Sequence, residues 1–85
     1  MSIETQFNQA ALRAKNLPSQ DNATLLKIYA LYKQASGGDV SGPAPGTFDF
    51  KGKAKYDAWK ALKGLSRQDA MEQYIALIAK LTPDS

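Results

Sequence analysis

The stretch "FDFKGKAKYDAWKALKG", Phe48 to Gly64, decides the fold because it combines two spacings that belong to different secondary structures. Three lysines near its start occupy alternate positions, which is the spacing of one face of a strand. Three large apolar side chains behind them recur every third residue, which is typical of one face of a helix. The lysines are Lys51, Lys53 and Lys55, and the apolar side chains are Tyr56, Trp59 and Leu62. The stretch therefore predicts either a basic strand or a helix with charge on part of its surface.

The rest of the chain favours the helix, because apolar residues repeat at helical intervals throughout and no segment convincingly predicts a strand. Pro18 ends the first pattern, and Gly37 and Gly64 act as C-terminal stops for the second and third. Asp21 and Ser66 are the predicted N-caps of the second and fourth helices. The predicted helices run from about Ser2 to Leu17, from Asn22 to Ser36, from Phe50 to Lys63, and from Ser66 to a close at Pro83.

The connections between these helices predict their arrangement. Two connections are short, whereas "GGDVSGPAPGTFD", Gly37 to Asp49, is a long turn-rich loop. A connection of this length joins helices that are not antiparallel neighbours, or it has a function of its own. We therefore predict an all-α four-helix bundle with a crossover loop between helices 2 and 3, folded as a single domain over residues 1–85.

Helix geometry divides the three lysines between two sides. Lys51 and Lys55 are four residues apart and share a face, whereas Lys53 points about 160° away from each at 100° per residue. On the second helix, Tyr29 lies three residues before Tyr32 and four before Lys33, so the three are surface neighbours. Tyrosine beside lysine is suited to an anionic ligand that carries an aromatic ring. The alternative for the two tyrosines is that they are core residues with solvated hydroxyls.

Composition excludes several classes of function. The 85 residues include neither cysteine nor histidine, which removes zinc–thiolate sites, thiol nucleophiles and the commonest general base. The carboxylates are scattered and no serine lies in a nucleophile-elbow motif, so we expect no enzyme, metal site or cofactor. "MSIETQFNQA" does not read as a signal peptide, and no apolar run reaches the length of a transmembrane helix. The expected location is cytoplasmic.

The charge distribution indicates an anionic partner. The chain carries a net charge of +3, yet between Lys51 and Arg67 six basic residues face Asp57 alone. Such a region is typical of binding to phosphate, nucleic acid or a membrane surface, although a solvated lysine-rich helix has the same composition. Nine lysines against two arginines disfavour base readout, which relies on arginine. A small basic helical module that binds nucleic acid or a protein partner remains the alternative function.

The chain from Ile28 to Ile75 closely resembles the acyl-CoA-binding protein family, the small cytosolic carriers of long-chain acyl-CoA esters. The runs "YKQA", "FDFKGKAKYDAW", "LKG" and "DAM..YI" carry the resemblance, in order and spacing. It implies a four-helix bundle with a crossover and non-catalytic intracellular binding and transport of long-chain fatty acyl-CoA. It further implies a monomer that binds no nucleic acid and makes transient contact with acyl-CoA-using enzymes.

The resemblance also implies roles for individual residues. Tyr29, Tyr32 and Lys33 match residues that contact the adenine and phosphate end of CoA. Lys55 matches the lysine that pairs with the ribose 3′-phosphate, and Lys51 matches a further ligand-contacting lysine. The remaining matches are Tyr74, near the nucleotide on the last helix, and Lys15 on the first helix. Lys53 has no matching role, and Tyr56 stands where the family usually has tryptophan.

The groove for the acyl chain is predicted from apolar residues near the start of the second helix and small residues on the first. The candidates are Leu25, Leu26, Ile28, Ala10 and Ala11. Packing in the core is the equally weighted alternative for all five.

Overall fold

A computed structural model describes residues 1–83 of the chain. Within that range the chain forms four helices and no strand: α1 (Ile3–Ala14), α2 (Asn22–Gly37), α3 (Phe50–Lys60) and α4 (Arg67–Leu81). The predicted all-α class is confirmed, and "FDFKGKAKYDAWKALKG" contributes a helix. The alternating lysines are therefore not a strand pattern.

Each helix begins at a residue whose side-chain oxygen accepts a hydrogen bond from a backbone N–H three positions on. This bond satisfies one of the amide groups that a helix start leaves unpaired. The caps of α2 and α4 are the predicted ones, whereas the other two were not predicted. The four caps are Ser2, Asp21, Asp49 and Ser66, at 3.1, 2.7, 2.9 and 3.0 Å from their donor nitrogens.

Two helices end earlier than the apolar pattern predicts. The α1 helix stops at Ala14 instead of Leu17, and α3 stops at Lys60 instead of Lys63. Beyond both points most backbone hydrogen bonds run from residue i to residue i−3 instead of i−4. The chain therefore winds more tightly there and no longer forms an α-helix. Gly64, with φ of 94°, then ends the α3 region as predicted. The end of α2 is off by one residue, since Gly37 is still helical and Gly38 takes the positive φ of 77°.

The crossover makes α2 and α3 parallel. Their N-terminal turns line one cavity together, and at their C-terminal ends Trp59 Nε1 donates to Gly38 O at 2.9 Å. The N-terminal turns of α1 and α4 also meet, because Ile3 and Glu4 lie beside Arg67 and the residues that follow it. We call the end with the N-termini of α2 and α3 the pocket end, and the other the opposite end. The C-termini of α1 and α4 reach the pocket end.

The core belongs to α1, α2 and α4. Phe7, Leu31 and Ile78 are its largest apolar members, at 5%, 1% and 0% exposure. None of the α3 side chains, all within the described range, is buried. Trp59 belongs to the apolar face that the spacing of this stretch predicts, yet its side chain does not enter the core. The indole is only half-buried, and it fixes the end of α3 to the end of α2 because its N–H bonds the Gly38 carbonyl.

The crossover loop is attached to the bundle through one buried side chain. Gln34 is fully buried, and its Nε2 donates to Asp39 Oδ1 at 2.8 Å and to Leu65 O at 2.7 Å. Asp39 Oδ1 also accepts from Gly64 N at 2.9 Å. The Gly64 amide and then the Gln34 amide lower the pKa of the Asp39 carboxyl. Gln34 therefore ties α2 to the connections on both sides of α3.

Gly52 has a steric reason to be glycine. A Cβ at this position would collide with the Asp49 side chain, which folds over the first turn of α3 to cap it. We expect Gly52→Ala to lower the free energy of unfolding by about 1 kcal/mol, although alanine normally favours a helix, because the cap is displaced. The control is Gly46→Ala, where a Cβ meets open space, and which we expect to be neutral or stabilising. Urea denaturation measures both. A gain in stability from Gly52→Ala would contradict this interpretation of the cap.

Candidate ligand-binding site

A cavity of about 410 Å³ opens between the N-terminal halves of α2 and α3. Its walls are mainly apolar, from Leu25, Leu26 and Tyr29 on α2 and from Phe50 and Ala54 on α3. Asn22, Lys51 and Lys55 complete the lining. A concave apolar site with a few polar groups is the usual form of a small-molecule pocket. It is suited to a ligand with a hydrocarbon part.

The pocket also carries positive charge. Lys55 Nζ lies 5.3 Å from the centroid of the Tyr29 ring, within cation–π range, so the ring helps to hold the ammonium group at the pocket. Lys51 lies one turn earlier on the same face of α3. Because Asp21 and Asp49 cap the two helix N-termini at this end, the positive charge of the pocket comes from its two lysines. The pocket can therefore hold an anionic group beside its apolar wall.

Two large apolar side chains of the pocket remain open to solvent. Leu25 is 50% exposed and Phe50 is 75% exposed. Covering them with an apolar ligand would remove hydrocarbon surface from water at about 25 cal/mol per Å². The sequence prediction missed Phe50, Ala54 and Asn22. Phe50 and Ala54 could have been predicted, because each directly precedes a pocket lysine. The pairs Phe50–Lys51 and Ala54–Lys55 are four residues apart and so share one helical face.

The structure separates Tyr32 and Tyr74 from this pocket. Tyr32 stacks on Phe7 at 5.5 Å between ring centroids, and Tyr74 contacts both rings at 5.9 and 5.1 Å. Tyr74 is 2% exposed and belongs to the core, and burial raises the pKa of its hydroxyl, with a smaller contribution from Tyr32. Tyr32, 41% exposed, forms the outer edge of this three-ring cluster. Tyr74 is therefore a core residue, whereas Tyr32, for which the core was the stated alternative, lies at the edge of the core, and a ligand contact by either residue stays a prediction.

The lysines are distributed as helix geometry predicts. Lys51 and Lys55 line the pocket together, whereas Lys53 Nζ pairs with Asp57 Oδ2 at 3.2 Å on another side of α3. Lys33 lies toward the C-terminal half of α2, with Nζ 4.9 Å from the centroid of a Trp59 ring. Lys33 and the pocket lysines therefore occupy the same α2–α3 seam at different heights.

The remaining predicted residues fall into three environments. Lys15 is exposed and caps the C-terminus of α1, which reaches the pocket end. Leu25 and Leu26 line the pocket, as the groove prediction requires. Ala10 is 2% exposed in the core, and Ala11 and Ile28 pack against the core. Core packing is thus the observed environment of Ala10, Ala11 and Ile28, and their contact with an acyl chain stays a prediction.

Residues 1–83 hold neither a metal-binding cluster nor a membrane-spanning helix. Across this range the acidic side chains nowhere gather in a group of three that could hold a metal ion. The helices of the same range include none with the length and apolar character needed to span a membrane.

Comparison with known proteins places the chain in a family. The family model described as acyl CoA binding protein matches residues 4–78. An acyl-CoA-binding protein homolog from Manduca sexta is 53% identical over 85 residues, which cover 95% of this chain and 92% of that protein. Acyl-CoA-binding domain-containing protein 6 from Xenopus laevis is 46% identical, and this chain spans 29% of its length.

Solved structures give the same result. The crystal structure of acyl-CoA-binding protein 2 from Oryza sativa superposes with a TM-score of 0.91 at 41% identity, over 94% of this chain and 90% of that one. The protein from Moniliophthora perniciosa gives a TM-score of 0.86 at 35% identity, over 95% of this chain and 80% of that one. The chain belongs to the acyl-CoA-binding protein family, and the resemblance predicted from "FDFKGKAKYDAW" is confirmed.

Proposed function

We propose that this protein binds long-chain fatty acyl-CoA and carries it without chemical change. The observation that carries the proposal is the α2–α3 pocket, which places an apolar wall of Leu25, Leu26 and Phe50 beside Lys51 and Lys55. An acyl-CoA has both matching parts, a hydrocarbon chain and a highly anionic nucleotide. Membership of the family supports the same ligand. The aliphatic part of the wall, Leu25 and Leu26, favours a ligand with a hydrocarbon chain over a nucleic acid, which has none to cover it.

The cationic side of the pocket selects the CoA part. A phosphomonoester carries about −1.5 to −2 charges at pH 7, and Lys55 is proposed to pair with the ribose 3′-phosphate. Tyr29 holds Lys55 by its ring face and offers a second surface to the adenine base. Lys51 and Lys33 supply further positive charge along the same seam, and Tyr32, Tyr74 and Lys15 are proposed as peripheral contacts. Each exposed pair contributes modestly, since water screens it.

The apolar wall sets the affinity. A 16-carbon chain has about 14 methylenes at about 0.8 kcal/mol each when fully buried, or about 11 kcal/mol in total. Losses of translational, rotational and side-chain freedom oppose this by about 4–15 kcal/mol. Pairing between the lysines and the phosphates therefore makes the pocket selective for CoA esters, and burial of the acyl chain determines how tightly the ester binds. We further propose that the protein is a cytoplasmic monomer. It delivers acyl-CoA to the enzymes that use it through transient contacts.

Titration calorimetry with palmitoyl-CoA, free CoA and free palmitate tests this function. We expect palmitoyl-CoA to bind at least a hundredfold more tightly than either fragment, because only the ester fills both parts of the pocket. A large negative heat-capacity change should accompany the binding of the ester, as burial of apolar surface requires. Equal affinity for palmitate and palmitoyl-CoA would show that the lysines do not select CoA and would refute the proposal.

A further inference from the structure

Phe48 is the most exposed large apolar side chain in the described part of the chain, at 90% exposure. It occupies a turn closed by a 3.0 Å hydrogen bond from Asp49 N to Gly46 O, directly before α3. It is neither a core residue nor a residue of the pocket lining. The fold thus holds a large aromatic ring in water at a defined position, and neither stability nor the pocket accounts for it.

Other exposed apolar side chains lie near Phe48 at the pocket end. Phe50 follows two residues later at 75% exposure, and Leu25 lies on the facing helix at 50% exposure. Single exposed apolar residues are ordinary on protein surfaces, whereas several in one region mark an interaction site. The mouth of the pocket therefore coincides with an apolar surface formed by Phe48, Phe50 and Leu25.

Positive charge surrounds the same end. Seven exposed basic residues belong to the segments that reach the pocket end, namely Arg13, Lys15, Lys27, Lys51, Lys53, Lys55 and Lys80. Within residues 1–83, three carboxylates belong to those segments, and each is engaged: Asp21 and Asp49 cap helices, and Asp57 pairs with Lys53.

At the opposite end the exposed acidic side chains outnumber the exposed basic ones. Its basic residues are Lys60, Lys63 and Arg67, and its carboxylates are Glu4, Asp39, Asp69 and Glu72. The protein therefore carries a charge asymmetry along its axis, with the positive end at the mouth of the pocket.

We propose that the pocket end docks on the surface of an anionic lipid bilayer, with Phe48 and Phe50 in the headgroup region and the lysines over acidic headgroups. Aromatic side chains combined with lysines are the chemistry that binds this interface. Each basic residue near an anionic surface adds attraction that salt screens. This inference goes beyond the proposed function, because docking requires no bound acyl-CoA and calorimetry tests ligand binding separately.

Sedimentation with vesicles tests the docking. The ligand-free protein is mixed with vesicles of phosphatidylcholine alone, or with about one third phosphatidylserine, at low salt. We expect binding to the anionic vesicles only. Phe48→Ser should lower the partition coefficient about tenfold, because a buried aromatic ring is lost. The control Ala61→Ser makes a polar change at an exposed position beyond the C-terminus of α3, toward the opposite end, and should leave binding unchanged.

A second pair of variants tests the charge asymmetry. Lys53→Glu reverses a charge at the pocket end outside the pocket, and Lys60→Glu makes the same change toward the opposite end of the same helix. The first should reduce vesicle binding several-fold more than the second. Absence of binding to anionic vesicles, or equal binding by wild type and Phe48→Ser, would overturn the proposal. Equal affinity for a single-stranded oligonucleotide, insensitive to Phe48→Ser, would show general attraction to polyanions instead.

Discussion

Lys55→Ala is expected to weaken palmitoyl-CoA binding about tenfold and to leave the midpoint of thermal unfolding nearly unchanged. A hydrogen bond to a charged group contributes about 1.5–3 kcal/mol, and exposure to water places Lys55 near the low end of that range. The side chain is exposed and contacts the Tyr29 ring, so its removal opens no cavity in the core. Calorimetry and a thermal melt of the same sample measure the two quantities.

Lys53→Ala is the matched control for this change. It removes the same charge from the same helix, two residues away, but Lys53 pairs with Asp57 outside the pocket. Its effect on binding should be less than twofold, since a surface pair of this kind contributes under about 1 kcal/mol. Equal losses from both variants would mean that the basic helix attracts acyl-CoA through its total charge, and the assignment of Lys55 to a site would be wrong.

Gln34→Ala is expected to cost the most stability of any polar substitution considered for this protein. The side chain is fully buried, and it donates to Asp39 and to the Leu65 carbonyl, thereby joining α2 to both connections of α3. Truncation leaves a cavity and removes the Gln34 donor from the Leu65 carbonyl, whereas Asp39 Oδ1 keeps its bond from Gly64 N. We expect the free energy of unfolding to fall by about 2–4 kcal/mol. Because the crossover loop and α3 are held through this residue, palmitoyl-CoA affinity should fall as well.

Gln73→Ala, on an exposed position of α4, is the control for this substitution and should change stability by less than about 0.5 kcal/mol. Gln34→Glu sharpens the test, since it keeps the size of the side chain but places a carboxylate against Asp39 and the Leu65 carbonyl. It should destabilise at least as much as alanine at pH 7. Urea denaturation of the three variants gives the comparison. A loss below 1 kcal/mol from Gln34→Ala would show that the buried amide is not the link between these segments.

The fold was predictable from the sequence because its determinants are local. Apolar residues at helical intervals, the stop residues Pro18, Gly37 and Gly64, and a long turn-rich loop predict four helices and one crossover, and each of these signals acts over a short stretch of the chain. The division between Lys51 and Lys55 on one side and Lys53 on the other follows from 100° per residue alone. Helix ends were less predictable, because Leu17 and Leu62 pack against the core from turns and so extend the apolar pattern beyond the helices.

The site was predictable only in part because it depends on contacts between helices. Tyr29, Tyr32 and Lys33 are neighbours along α2, yet Tyr29 and Lys33 face α3 whereas Tyr32 stacks with Phe7 and Tyr74. The spacing of residues within one helix does not show which of the other helices each side chain faces. Phe50 was missed for a related reason. An aromatic residue on an amphipathic helix usually belongs to the core, whereas Phe50 is 75% exposed on α3.

The most direct test of the proposed site is to locate the acyl chain by NMR. With isotope-labelled protein and unlabelled palmitoyl-CoA, intermolecular nuclear Overhauser effects report which side chains touch the methylenes. The proposed site predicts contacts from the chain to Leu25, Leu26 and Phe50, which line the pocket between α2 and α3. Contacts confined to residues outside this pocket, with none to Leu25 or Phe50, would contradict the assignment of the α2–α3 pocket as the acyl-CoA site.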